Sequence, residues 1–246
     1  MPGIKTKLTV RVIANEGKFL GADVGGALVT VKNAQTGAIL ASGTTSGGSG
    51  NLQQIMQTPR LRSQPIPTDQ ASSFDCSFDL TEPVLLEVTA YGPLGGLQSA
   101  NRTTVTQWMV PGKNITGGDG LLLELRGLLL QVLSPATHLN MPKPAKVPFA
   151  ANVGMMCGCP ISKGGIWNSD DFEVGAYIMD SGKMIDKIKL SYTGEPSQFA
   201  GSWTVKKPGY YEAVVYAFQA STGNTGMGRV TFFYEPQTSS PKKNKK

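Results

Sequence analysis

Phe74, Cys76, Phe78 and Leu80 alternate strictly with Asp75, Ser77 and Asp79. An apolar side chain at every second position gives an extended strand one dry and one wet face, and an α-helix has no use for that period. The same rhythm runs through Leu8, Val10 and Val12, through Ala27, Val29 and Val31, and through Leu86, Val88 and Ala90. It returns from Val105 to Met109 and at Leu121, Leu123 and Leu125. Gly, Pro, Asn or Asp stands close to each run, as expected where short strands end in turns. No window carries an apolar stripe of helical period and length. The expected fold class is all-β.

The second half follows the same rule, through Leu128, Leu130 and Val132, then Val147, Phe149, Ala151 and Val153. Val174, Ala176 and Ile178 lead into Asp180-Ser181-Gly182-Lys183, which reads as a hairpin turn. Ile188, Leu190 and Tyr192 follow, then Trp203 and Val205, Tyr211 to Ala217, and Val230, Phe232 and Tyr234. That is roughly seven strands, the complement of an immunoglobulin-like sandwich. The expected organisation is two tandem antiparallel sandwiches, residues 1–126 and 127–236, divided at Gly127 and followed by a disordered Lys-rich tail at 237–246. A long polar insertion, 47–73, interrupts the first unit.

Two stretches carry resemblances. Ala27 to Asn33, the Thr36-Gly37 turn, the return to Ser42 and the run Gly43-Thr44-Thr45 before Gly47 resemble the carboxypeptidase-regulatory-like family of small sandwiches. Pro208-Gly209-Tyr210-Tyr211, the strand through Ala217 and the turn Thr222-Gly223-Asn224 resemble bacterial immunoglobulin-like repeats. The second resemblance implies that Tyr211 is a tyrosine corner, its hydroxyl bonded back to the main chain. It also implies that no inter-sheet disulfide forms, because Ala213 stands where antibody domains have Cys. Domains of that kind serve as spacers, adhesive modules or accessory domains.

The charge argues against nucleic-acid binding. Lys and Arg number 23 against 17 Asp and Glu, for a net +6, but Lys242, Lys243, Lys245 and Lys246 supply four of those charges. The body is therefore close to neutral, without the basic face such a partner requires. No run approaches the ~20 apolar residues of a membrane span. Read literally, the N-terminus enters a strand with no signal-peptide core and implies the cytoplasm. A removed signal would place the chain in the periplasm or outside the cell.

Catalytic groups are scarce: His138 is the single imidazole, and no Ser or Cys stands in a nucleophile elbow. The most distinctive run is Met155-Met156-Cys157-Gly158-Cys159-Pro160, with His138 and Met141 upstream. On an extended strand Cys157 and Cys159 share a face. Thiolates with thioethers suit copper, with zinc as a second choice, and His138 or Met141 would complete the set. The same parity is what core cysteines show, and a bridge between residues two apart in a strand would be strained. Cys76, between Phe74 and Phe78, reads as core. Trp108, Trp167 and Trp203 read as packing residues, with Trp203 against Tyr211.

Few apolar residues punctuate 47–73 and they follow no period, so the segment is expected to stay mobile until a partner orders it. Arg60 and Arg62 are its expected interaction residues. The expected function is a non-enzymatic structural or accessory protein that contacts other subunits or further copies of itself. The alternative is a soft-metal carrier or redox module at Cys157 and Cys159.

Overall fold

The computed structural model describes residues 2–66, 70–140 and 146–235. It is an all-β chain, with fifteen strands among those residues. Met141 and the Lys-rich tail lie outside them.

The N-terminal half is built from two sheets. In the first, β1 (Ile4–Ala14) is central, antiparallel to β4 (Phe74–Leu80) and parallel to β7 (Leu121–Leu125). The second has the order β3 (Ile39–Thr44), β2 (Leu28–Asn33), β5 (Val84–Gly92) and β6 (Asn101–Met109), all antiparallel. The alternation read from the sequence sends Leu8, Val10 and Val12 inward from one sheet to meet Val29, Val31, Leu86, Val88 and Ala90 from the other. At roughly 25 cal/mol per Å² of apolar surface, this interdigitation is the main stabilising term of the half.

The C-terminal half is one eight-stranded sheet rolled into two layers. Its order is β8 (Leu128–Ser134), β10 (Lys146–Met155), β13 (Gln198–Thr204), β12 (Lys183–Tyr192), β11 (Phe172–Asp180), β14 (Gly209–Gln219), β15 (Asn224–Tyr234) and the short β9 (Leu139–Asn140). The strand β12 turns the corner, pairing with β11 along most of its length and with β13 only through Ser191 and Tyr192. Between the layers, Phe149 of β10 meets Phe232 of β15 edge to face at 6.0 Å, and Trp203 of β13 meets Tyr211 of β14 at 5.0 Å. The Tyr211 hydroxyl donates to the Lys207 carbonyl at 2.8 Å, the backward bond implied for a tyrosine corner. At the β11–β12 turn, Ser181 and Gly182 have φ of 50° and 78°, as a two-residue hairpin demands.

The two halves share one apolar core, which runs without a break from Leu8 to Phe232. Gly127, between β7 and β8, has φ 133° and lies against Met156 and the Thr225 carbonyl, so a side chain there would be strained and would have to displace the Met156 methyl group. Its N–H donates to Asn224 Oδ1 at 3.0 Å. The Ser99 hydroxyl donates to the Leu130 carbonyl at 2.8 Å, and Trp167 Nε1 donates to the Glu16 carbonyl at 2.8 Å.

Candidate functional site

The strand β10 ends at Met155 and the chain reverses there. The Gly158 N–H donates to the Met155 carbonyl at 2.8 Å, and the Met155 N–H donates to the Cys159 carbonyl at 3.0 Å. Gly158 supplies the left-handed residue, with φ 77°. Met156, Cys157 and Gly158 thus form a three-residue hairpin loop, a common way to join antiparallel strands. Sequence parity carries the inward face correctly through Val147, Phe149, Ala151 and Val153, all buried. It does not carry into the loop, where the reversal, and not a shared strand face, joins the two thiols.

The Cys157 and Cys159 sulfurs lie 2.7 Å apart, and the residues are 1% and 7% exposed. Contact with the Cys159 thiol, helped by the Lys18 backbone and the Lys18 charge, outweighs burial and holds the Cys157 thiol below its ordinary value. Cys159 moves the other way, raised by its bond to Cys157 and by burial. Lys18 belongs to the N-terminal half, and only the folded chain brings it here. Gly17 beside it is so close that a Cβ there would stand 3.3 Å from the Cys157 sulfur.

Of the other residues read as soft-metal ligands, Met155 at the end of β10 and Met156 in the loop are both buried, with the Met156 thioether over Gly127. His138 is elsewhere. Its N–H donates to the Thr231 carbonyl at 2.6 Å, six residues along β15 from the Thr225 carbonyl that faces Gly127. Six residues of strand span about 20 Å. There His138 lines an apolar groove of about 440 Å³ with Tyr210, Tyr211, Phe232 and Phe233. Met141 lies outside the described residues. No grouping of three or more His, Cys, Asp or Glu able to hold a metal occurs among the described residues.

The segment 47–73 departs from expectation. Its described residues are folded onto their own half, with Gly48 bridged to Ala71 and Ser46 to Ser73. The Ser72 hydroxyl donates to the Leu20 carbonyl at 2.7 Å. Ile55, Ile66 and Ala71 pack on Ile13, Phe19 and Leu122 to form a second small core. The loop alone lacks the apolar surface to order itself, but β1 and β7 supply the missing wall. Arg60 and Arg62 remain exposed. Arg60 also lines a cleft of about 390 Å³, as do Glu16 and Glu124.

One surface feature escaped the sequence reading. Trp108 is not packed; it is 53% exposed near the end of β6. The signal was present, because Trp108 is out of phase with Val105 and Met109, which face inward. The strand β6 is an edge of its sheet, and its nine residues contain one charged side chain, Arg102, and no Pro. The β4 edge, by contrast, carries Asp75 and Asp79. On the outer face of the β6 sheet, Ser42, Thr30, Thr89 and Thr104 stand in one row across four strands, with Thr89 and Thr104 hydrogen-bonded at 2.9 Å. Cys76, read as core, is half-buried on β4 and packs against the core margin, its thiol raised to about 11 by burial and by Asp75.

No protein-family model matches the chain, and no curated protein matches it. Among solved structures, an engineered protein is 17% identical over 53% of this chain, at a TM-score of 0.31. The chain spans 24% of that protein's length. Fibronectin(III)-like modules of Clostridium thermocellum CbhA are 11% identical, covering 85% of this chain and 78% of theirs, at a TM-score of 0.30. A chimeric titin Z1Z2-Z1Z2 tandem is 11% identical, covering 96% and 93%, at a TM-score of 0.26.

Proposed function

We propose that the chain is a non-catalytic structural or accessory protein, and that β6 is the edge through which it takes up an extended segment of another polypeptide. The observation that carries this reading is the character of that edge. An open row of main-chain groups is a template for a further strand, and proteins that must avoid such pairing place Lys, Pro or inward charges there. The β4 edge carries two outward charges, Asp75 and Asp79, whereas β6 offers Thr103, Thr104, Val105, Thr106 and Gln107 in succession. In strand addition the main chain supplies affinity and alternate side chains supply selectivity. An exposed Trp beside the edge adds the kind of aromatic anchor on which interfaces depend.

The test is a Thr104→Lys, Thr106→Lys double variant, compared with the unsubstituted protein by size-exclusion chromatography with light scattering. Both side chains are exposed, and the one hydrogen bond given up is the exposed contact of Thr104 with Thr89, so the urea midpoint should stay close to that of the parent. The reading expects the parent to associate with itself or with a co-purifying polypeptide, and the variant to lose that association. A parent that is a strict monomer with no co-purifying chain contradicts it.

A further inference from the structure

We propose that Cys157 and Cys159 are a modification site, joined into a reversible disulfide by a hydroperoxide at the seam between the two halves of the chain. This inference is independent of the strand-addition reading. In an extended strand, Cα atoms two apart are about 6.6 Å from one another, close to the ~6.8 Å limit for bridging. The reversal at Gly158 removes that obstacle, and the sulfurs meet at 2.7 Å. Two sulfurs on one tetrahedral zinc, each at ~2.3 Å, must stay about 3.8 Å apart. The contact is therefore shorter than a shared ion permits, while a bond needs a further approach of only about 0.7 Å.

Burial selects the oxidant. With Cys157 1% and Cys159 7% exposed, a glutathione-sized disulfide has no path to either sulfur, whereas hydrogen peroxide is scarcely larger than water. Lys18 lies close enough to favour the Cys157 thiolate, the species that reacts. The Cys157 sulfur attacks one peroxide oxygen, the O–O bond breaks, and the departing hydroxide takes up a proton as water. That step leaves a sulfenic acid on Cys157. The Cys159 sulfur then attacks the Cys157 sulfur, the S–O bond breaks, and the oxygen leaves as a second water carrying the Cys159 proton. In sum, two thiols and one peroxide give one disulfide and two waters, with two electrons passing from sulfur to oxygen. The bond forms where the loop presses on Gly17 and Val24, so the oxidised state is built into the seam.

The experiment uses the full reduced chain, treated with increasing hydrogen peroxide in the presence of a chelator and then denatured in iodoacetamide. The expected result is a fall from three alkylated cysteines to one, Cys76 being the survivor. The peptide bearing both cysteines carries no alkyl group and is lighter than the free dithiol by two hydrogens, and dithiothreitol restores all three sites. The near-isosteric variants Cys157→Ser and Cys159→Ser show no such loss of mass. Three alkylated cysteines after peroxide treatment overturn the proposal. Oxygen added to a single cysteine without a bridge, or bridges formed only between chains, overturns it as well.

Discussion

The Asn224 side-chain amide donates to the Asn15 carbonyl at 3.2 Å, although 209 residues separate the two in sequence. Asn224 is itself 1% exposed, and its Oδ1 accepts from Gly127 N–H, so a single side chain ties the last hairpin to the residue that follows β1 and to the crossing between the halves.

Asn224→Ala leaves a buried donor and a buried acceptor without partners. An unpaired buried polar group costs about 1–3 kcal/mol, so the variant should lose about 2–4 kcal/mol in urea unfolding. A loss below ~0.5 kcal/mol, the level of an ordinary surface substitution, would show that this contact does not join the halves.

Glycine substitutions should separate strain from crowding. Gly37→Ala meets no neighbour within 4 Å but must adopt φ 74°, a cost of about 1–2 kcal/mol. Gly127→Ala must adopt φ 133° and would also set its Cβ 2.8 Å from Met156 Cε and 3.2 Å from the Thr225 carbonyl. Urea midpoints should place Gly127→Ala well below Gly37→Ala. The reverse order would mean that the crossing can open to admit a methyl group.

Tyr211→Phe removes only the hydroxyl that bonds to the Lys207 carbonyl. The expected loss is about 1 kcal/mol with the aromatic packing intact. An unchanged midpoint would show that solvent satisfies that carbonyl equally well.

Cys76 gives a pH signature. Its thiol is raised from 9.0 to about 11 in the folded chain, so above pH 9 the unfolded chain loses this proton first. Where the unfolded state binds fewer protons, stability falls as pH rises. This contribution is intact below pH 9 and is lost as pH rises toward 11. The urea midpoint of the parent should drop across that window more than that of Cys76→Ala. Parallel profiles would contradict the assignment.

The loop 47–73 should be held by its two isoleucines. Ile55→Ser and Ile66→Ser remove apolar contacts with Ile13, Phe19 and Leu122, and each should speed tryptic cleavage after Arg60 and Arg62 several-fold. Cleavage as fast in the parent as in the variants would restore the sequence-based expectation of a loop that waits for a partner.

Much of this fold was legible because parity is a local property. Val147 to Val153 alternate in sequence and alternate in burial, and Asp180 to Lys183 turn where their residue types demand. Tyr211 bonds as its context implied. Relationships between distant segments were not legible. Parity puts Trp108 on the wet side of β6, but it does not say that β6 lies at an edge. Nor does composition show that Phe19 and Ile13 wait beneath Ile55 and Ile66. At Cys157 the local signal itself misled: the alternation looks continuous through Cys159, yet Gly158 adopts φ 77° and replaces a strand with a reversal. Lys18 then completes the site from the other half of the chain.

The open edge of β6 is tested most directly by photo-crosslinking in the cells that produce the chain. A photoreactive residue placed at Thr104 is compared with one at Asp79, on the edge that carries its own charges. Strand addition at β6 predicts a discrete adduct with another polypeptide from position 104, none from position 79, and loss of the adduct when Thr106→Lys is added. Equal labelling from both edges, or no adduct at position 104, would contradict the account.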